Sequence, residues 1–434
     1  LAAGRRCGVP AEKKIPRLIF HVDVNSAFLS WTSVKRLQNG ESDLRLIPAV
    51  IGGDPKKRTS VVTAKSIPAK KYGIRTGEPV SMALQKCPGL YVAPSDFAWY
   101  ETCSSNFIAL CREIAPVLEQ FSIDECFLDM TGTGLLYPDP VKTAADLKDR
   151  IRDTLGFTVN VGIGDSKLLA KMASDFEKPD RVHTLFRREV PEKMWPLPVS
   201  DLLFVGRASS ELLEKNGIRT IGDLAQADLA YLKGLVGERA ALQYKRAANG
   251  IDDSPVLDHP EASKGYSVVT TLEEDVSERE AAHQILKDLA DSVSFRMRRD
   301  GWKACGVGVK IRSGNFSVRV NRSHQKKLEV PTDLTREICE TAISLFDDLW
   351  DGKTGLRLLG IQLFDLTKEE AVQLDLFGDS TRREKQHRAD EALDAIRLKY
   401  GMDAASLGPT GGSSGISRRF RAELEREREK NKDR

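Results

Sequence analysis

Phe121-Ser122-Ile123-Asp124-Glu125-Cys126-Phe127-Leu128-Asp129 sets two adjacent acids inside an apolar segment. Upstream, Leu18-Ile19-Phe20-His21-Val22-Asp23-Val24-Asn25-Ser26-Ala27-Phe28 places Asp23 at the end of a second apolar run. An apolar run that ends in an acid is a poor core strand. Two such runs suggest strand ends that bring three carboxylates together. An Asp-Glu dipeptide alone suits a hairpin turn equally well, and neighbouring acids resist joint ionisation unless a cation is close. The apolar setting and the partner Asp23 favour metal binding. Hard oxygen ligands point to Mg²⁺, and two carboxylate-held metals are a common clamp for phosphoryl transfer. Asp129, before Thr131-Gly132, reads as a turn residue.

The bulk composition sets limits. The chain has 434 residues, 41% hydrophobic and 30% charged, enough for more than one domain. Its formal net charge is only +3, so any nucleic-acid surface must come from local clustering. Seven cysteines are scattered without C-x-x-C spacing and read as free thiols in a reducing, cytoplasmic setting. No run approaches the length of about eighteen apolar residues that a membrane span needs. Residues 1–16 read as a tail without the apolar core of a secretory signal.

Periodicity predicts strands at 15–24, 49–53, 60–64, 123–130 and 158–164, with helices at 25–37, 66–73, 100–121, 144–155 and 166–176. This alternation indicates an α/β or α+β domain to about residue 180, with an insertion near 30–90. Residues 181–247 read as leucine-rich helices, and 248–264 as an exposed linker with Gly250, Pro255 and Pro260. Strands at 266–272, 303–312, 316–322 and 356–364 and helices at 278–299 and 333–350 form a second α+β unit. Residues 378–434 are strongly charged, part helix and part disordered.

Several cations could meet phosphate. Lys70 lies in Ala64-Lys65-Ser66-Ile67-Pro68-Ala69-Lys70-Lys71-Tyr72-Gly73-Ile74, and Lys167 follows Gly162-Ile163-Gly164-Asp165-Ser166. A strand, a glycine turn and a helix start can hold a phosphate, although the full P-loop pattern is missing. Leu203-Phe204-Val205-Gly206-Arg207 through Gly217-Ile218 reads as a helix–hairpin–helix, a sequence-independent phosphate contact. In Val307-Gly308-Val309-Lys310-Ile311-Arg312 the valines and isoleucine alternate with Lys310 and Arg312, and Arg319 follows on the next strand. That basic face could track a DNA backbone. His183, His259, His283, His324 and His387 lack metal-ligand spacing.

Taken in order, the Asp23–Phe28 segment, Ser122-Ile123-Asp124-Glu125, Pro68–Ile74 and Val161–Lys171 resemble the Y-family translesion DNA polymerases, nearest the bacterial DNA polymerase IV branch. The likeness spans roughly residues 17–365. It implies an α+β multidomain, right-hand-like polymerase: a ferredoxin-like palm at 17–29 and 92–180, small fingers at 30–91, a helical thumb with the helix–hairpin–helix at 181–247, a linker at 248–264, an α+β little finger at 265–365, and a clamp-binding peptide with charged tail at 366–434. By this resemblance Asp23, Asp124, Glu125 and the Val24 carbonyl hold two Mg²⁺ ions. Ser66, Lys70 and Lys167 would meet the dNTP triphosphate, and Phe28 would be the steric gate. Gly206, Arg207, Lys310, Arg312 and Arg319 would contact primer–template DNA. Gln373, Leu374, Leu376 and Phe377, in Gln373-Leu374-Asp375-Leu376-Phe377, would bind a bacterial sliding clamp. The implied enzyme is a monomer that copies damaged templates without a proofreading exonuclease. Three departures stand out: Lys70 where Arg is frequent, Ile67 where Tyr is frequent, and the less acidic Asn25-Ser26-Ala27. A non-catalytic DNA-binding relative could have lost the three acids, and a nucleotidyl cyclase would not need the helix–hairpin–helix, basic strands or clamp peptide.

Overall fold

A computed structural model describes residues 16–259, 262–314, 321–368, 380–400 and 404. Two compact units divide the chain: Leu1–Gly52, Val62–Glu78 and Met82–Pro260 form one, and Gly53–Val61, Pro79–Ser81 and Glu261–Arg434 the other. Its strands are β1 (Ile19–Val24), β2 (Ala49–Ile51), β3 (Ala64–Lys65), β4 (Tyr91–Ala93), β5 (Val117–Gln120), β6 (Glu125–Asp129), β7 (Val159–Gly164), β8 (Val182–Leu185), β9 (Gly265–Val276), β10 (Lys303–Ser313), β11 (Asn321–Thr332) and β12 (Leu356–Thr367). No helix among the described residues is long and apolar enough to cross a membrane.

In the first unit, five strands run in the order β5-β6-β1-β7-β8. β1 lies between β6 and β7, antiparallel to both. Alternation divides its side chains. Phe20, Val22 and Val24 face a core built with helices Phe97–Arg112 and Pro140–Leu155, while Ile19, His21 and Asp23 face the other way. The second helix starts on Asp139, whose carboxylate accepts from the N–H groups of Val141 and Lys142, with Pro140 at the first helical position.

The opposite face of the sheet is covered by helix Lys167–Ser174. Its approach depends on Gly162. A Cβ there would lie 1.9 Å from the Ala170 carbonyl oxygen and 2.4 Å from the Ser174 nitrogen. Only a residue without a side chain lets this helix press so closely against β7.

Several boundaries differ from the periodicity reading. The helix expected through Phe121 ends at Arg112, and Val117–Gln120 is strand β5. Pro116 accounts for the break, since proline disfavours helical geometry in the residue before it. Leu118 is buried as expected, but from a strand. The sheet continues beyond residue 180, because β8 pairs parallel to β7. The linker is not wholly exposed: Val256 packs with Ile19, Phe127 and Ala170. The strand at 60–64 shrinks to Ala64–Lys65, beside an isolated bridge between Val61 and Pro79. The helices that follow β8 enclose a separate core around Leu202, Leu213, Ile221, Leu224 and Leu232.

In the second unit, β11-β10-β12-β9 form an antiparallel sheet. Helices Arg279–Arg299 and Thr335–Leu349 pack against it through Leu286, Val293, Ile338 and Phe346. Of the strand expected at 316–322, only Asn321 and Arg322 lie among the described residues, and they open the longer β11. The charged C-terminal stretch contains helix Ser380–Tyr400, held by buried ion pairs. Arg298, 6% exposed, donates to both Asp394 oxygens at 2.7 and 3.0 Å. Arg397, 1% exposed, donates to both Asp291 oxygens at 2.8 and 2.6 Å. Such bidentate pairs fix orientation. Replacing one partner strands a buried charge. Asp394→Ala should therefore lower the stability of this unit by about 3 kcal/mol, softened by the remaining Asp390 contact, in a chemical denaturation curve.

Candidate active site

The register of the first sheet sets Asp23 opposite Glu125 on β6 and opposite Asn160 on β7. Directly opposed residues point to the same face. The next rung on that face carries Phe127, His21 and Gly162. Asp124 sits in the hairpin between β5 and β6. The Phe121 and Ser122 N–H groups both donate to the Glu125 carbonyl, at 3.0 and 3.1 Å. Ser122 Oγ donates to Asp124 Oδ1 at 2.6 Å, and Val24 N–H donates to the Asp124 carbonyl at 3.0 Å. The hairpin tip is thereby tied to the end of β1, close enough for the Asp124 charge to act on Asp23. The three acids named from sequence are brought together.

Two ammonium groups meet them. Lys178 is paired with Asp23, and Lys171 with Glu125. Burial raises the Asp23 pKa, Lys178 opposes the rise, and Asp124 adds to it. Burial would also raise Glu125, but the hydrogen bond from His21 and the contacts with Lys171 bring it down to about 2. His21 is buried, with Nε2 3.0 Å from Glu125 Oε2 and Nδ1 2.8 Å from Ser174 Oγ. Among the described residues no ready cluster of three or more His, Cys, Asp or Glu ligands is assembled. The lysines occupy the positive positions instead.

The segment that carries Lys178 is held by two side-chain amides. Asn160, fully buried, donates to the carbonyls of Ser174 at 3.0 Å and Glu177 at 2.7 Å. Asn25 donates to Asn160 Oδ1 at 3.1 Å and accepts from the Asp180 N–H at 2.9 Å and the Thr158 hydroxyl at 3.0 Å. Every polar atom of the pair is used.

Phe28 opens helix Ala27–Gln38. Its half-buried ring stacks on Tyr100 with centroids 4.7 Å apart and meets Phe97 edge-on at 5.9 Å. The rigid platform leaves part of the ring accessible.

The residues expected at a triphosphate have their own partners in the fold. Lys167 lies apart from the acids. Its ammonium donates to both Glu119 oxygens at 2.6 and 2.7 Å and lies over the Phe127 ring. The physical reason is helical pitch: Lys167 lies one turn before Lys171, over the rung below the acids. Ser66 is buried, and its hydroxyl is consumed locally. It accepts from Ala49 N–H and Ala69 N–H and donates to the Ile47 carbonyl at 2.7 Å, so it caps a turn. Lys70 is exposed beside Lys65, whose pKa is lowered by burial and by Lys70.

Gly206 caps helix Arg207–Lys215, with open space where a Cβ would stand. Arg207 is exposed and paired with Glu211 at 2.7 Å. Gly217, at φ +83°, closes that helix. Lys310 and Arg312 are exposed, while Val307, Val309 and Ile311 are buried, as alternation predicts. Arg319 and Gln373–Phe377 lie outside the described residues. Asp129 accepts from the Thr131 N–H at 2.9 Å, the expected turn.

Sequence reading missed His21, Lys171, Ser174 and Lys178. Signals were present. His21 precedes Asp23 by two residues and so shares its face. Lys171 follows Lys167 by one helical turn.

Comparison with solved structures gives the fold. A Y-family DNA polymerase chimera, Dbh-Dpo4(243-245)-Dbh, superposes with TM-score 0.69 at 21% identity, covering 81% of this chain and all of that one. DinB from Sulfolobus solfataricus gives TM-score 0.51 at 22% identity, covering 80% and 98%. The architecture is that of the Y-family polymerases. Residues 22–175 match the impB/mucB/samB family and residues 263–376 its C-terminal domain. A DNA polymerase IV of Clostridium acetobutylicum is 44% identical over 89% of this chain and 96% of its own length. DNA polymerase IV 1 of Bacillus subtilis is 35% identical over 91% and 93%. The chain belongs to the impB/mucB/samB family.

Proposed function

We propose that this chain is a template-directed, low-fidelity DNA-dependent DNA polymerase of translesion synthesis. It extends a primer 3′-hydroxyl with dNMP from a dNTP and has no proofreading exonuclease. The observation that carries this reading is the convergence of Asp23, Asp124 and Glu125 at neighbouring strand ends. Full-length likeness to relatives named DNA polymerase IV supports it, and family membership implies a divalent-metal requirement. The first sheet is the palm, in ferredoxin-like order; the segment around β2–β4 the fingers; the helices after β8 the thumb; and residues 265–365 the little finger, followed by helix Ser380–Tyr400.

The residues present fit a divalent cation. Their donors are hard oxygens, with Asp23 directly opposite Glu125 and the Asp124 hairpin tied to the end of the same strand. Asp23, Asp124, Glu125 and the Val24 carbonyl would hold two Mg²⁺. When bound, the ions supply Lewis-acid activation of the hydroxyl and charge neutralisation at phosphorus.

The protein's own groups do the rest. Glu125 stays ionised through His21 and Lys171. Lys178, on its amide-held segment, and Lys70 neutralise triphosphate charge. Lys167 and Ser66 are the further triphosphate contacts that the resemblance implies. The Phe28 ring, braced by Tyr100, excludes a 2′-hydroxyl by shape. Backbone N–H groups at Gly206, with Arg207, grip duplex phosphates, and Lys310, Arg312 and Arg319 follow the backbone by charge. Gln373, Leu374, Leu376 and Phe377 anchor a sliding clamp.

Primer extension tests the core of this reading. Asp124→Ala should cut the extension rate by roughly a thousandfold or more while DNA affinity stays within about twofold. Retained Mg²⁺-dependent extension in that variant excludes the acids from catalysis. Phe28→Ala should raise ribonucleotide incorporation by roughly a hundredfold, since a steric wall is lost; unchanged sugar selectivity removes Phe28 from the gate. Deleting residues 373–377 should leave basal extension intact and abolish its stimulation by a bacterial clamp, and surviving stimulation refutes the peptide's assignment.

A further inference from the structure

His21 has no part in the proposed chemistry so far beyond its contact with Glu125, yet its placement is unusually constrained. The ring is 1% exposed, on the same face of β1 as Asp23, and tilted against Phe127 with centroids 4.7 Å apart. Its Nε2 meets Glu125 Oε2 at 3.0 Å, and its Nδ1 meets Ser174 Oγ at 2.8 Å. Ser174 is fully buried and has a second acceptor, the Lys171 carbonyl, also at 2.8 Å. A hydroxyl has one hydrogen to give.

Two assignments follow. If Ser174 donates to the Lys171 carbonyl, Nδ1 must carry the ring hydrogen. A neutral ring then turns the bare Nε2 lone pair toward an ionised carboxylate, which is repulsive. If Ser174 donates to Nδ1, the hydrogen sits on Nε2 and points at Glu125, so both contacts attract. The fully enclosed ring is costly to charge, and Lys171 already supplies the positive charge at the same Glu125 oxygen.

We infer that Ser174 and His21 form a fixed donor chain, Ser174 Oγ–H to His21 Nδ1 and His21 Nε2–H to Glu125 Oε2, that positions the Glu125 carboxylate for a divalent cation. His21 and Lys171 both engage Oε2. Among the described residues Oε1 receives no hydrogen bond, so it is the oxygen left to face the metal. His21 is thus a positioning residue. It sets the direction of the lone pairs on a ligand, the role that groups behind metal-bound carboxylates play. The inference rests on the reading of Glu125 as a metal ligand.

Two measurements on the full chain test it. Ring-¹⁵N NMR should show His21 in the Nε2–H form, and Ser174→Ala should move the Nδ1 resonance toward that of a free acceptor nitrogen while the hydrogen stays on Nε2. Mn²⁺ titration by electron paramagnetic resonance, with a dideoxy-terminated primer–template and dNTP, should show roughly tenfold weaker binding in His21→Phe. His21→Gln, which places an amide N–H near the Nε2 position, should restore most of it, and DNA affinity should not move. An Nδ1–H ring in the unsubstituted protein overturns the donor chain even if His21→Phe does not fold. Undiminished Mn²⁺ binding in folded His21→Phe, when Glu125→Ala binds poorly, overturns the positioning role alone. Undiminished binding in Glu125→Ala removes the metal-ligand reading and the inference with it.

Discussion

The missing side chain at Gly162 is the constraint on which this site depends. It lets helix Lys167–Ser174 lie against the sheet at backbone contact distance. A helix pushed outward by a Cβ at this position would carry Lys171 and Ser174 away from β1 and β6. Close approach brings Ser174 to His21, Lys171 to Glu125, and the following turn to Asn160 and Asp23. The acids come from the sheet, but their electrostatic environment comes from the helix pressed on it.

That environment balances opposing terms. Three carboxylates at one sheet edge would repel, and burial makes their charges costlier. Asp23 shows the strain through its raised pKa, whereas Glu125 escapes because it has two donors. The site holds lysine ammonium groups where divalent cations are proposed to act. A long, flexible amine can leave such a position as a metal arrives and still serve a negative substrate nearby. Pairing with lysine and binding metal are therefore compatible states of one carboxylate cluster.

Much of this was legible in the chain. The apolar, β-branched run through Val24 and the acid near its end identified β1 and Asp23, and the apolar frame of Asp124-Glu125 identified the other two acids. The overlong helix through Phe121 came from reading Leu118 by helical spacing, when Pro116 had already ended it. Lys167 stands out in the sequence because a glycine turn before a lysine suggests phosphate, whereas the place of Lys171 one turn later cannot be assigned without the sheet beneath. Lys178 follows the helix in an irregular segment, where no period points anywhere. Ser66 illustrates the converse: a hydroxyl at a helix start fits both a cap and a ligand, and only its burial decides.

Asn25 shows how a departure from an acidic pattern can add function to a site. A carboxylate at that position could accept from the Asp180 N–H and the Thr158 hydroxyl, as the Asn25 oxygen does. It could not donate to Asn160 Oδ1. Asn160 would then turn an oxygen held only by the Arg181 N–H, at 3.3 Å, toward a negative charge inside the protein, at the junction that fixes the carbonyls of Ser174 and Glu177. A neutral amide satisfies both partners and adds no fourth negative charge beside Asp23. The cluster keeps three acids, and the segment carrying Lys178 is held by donors that do not titrate.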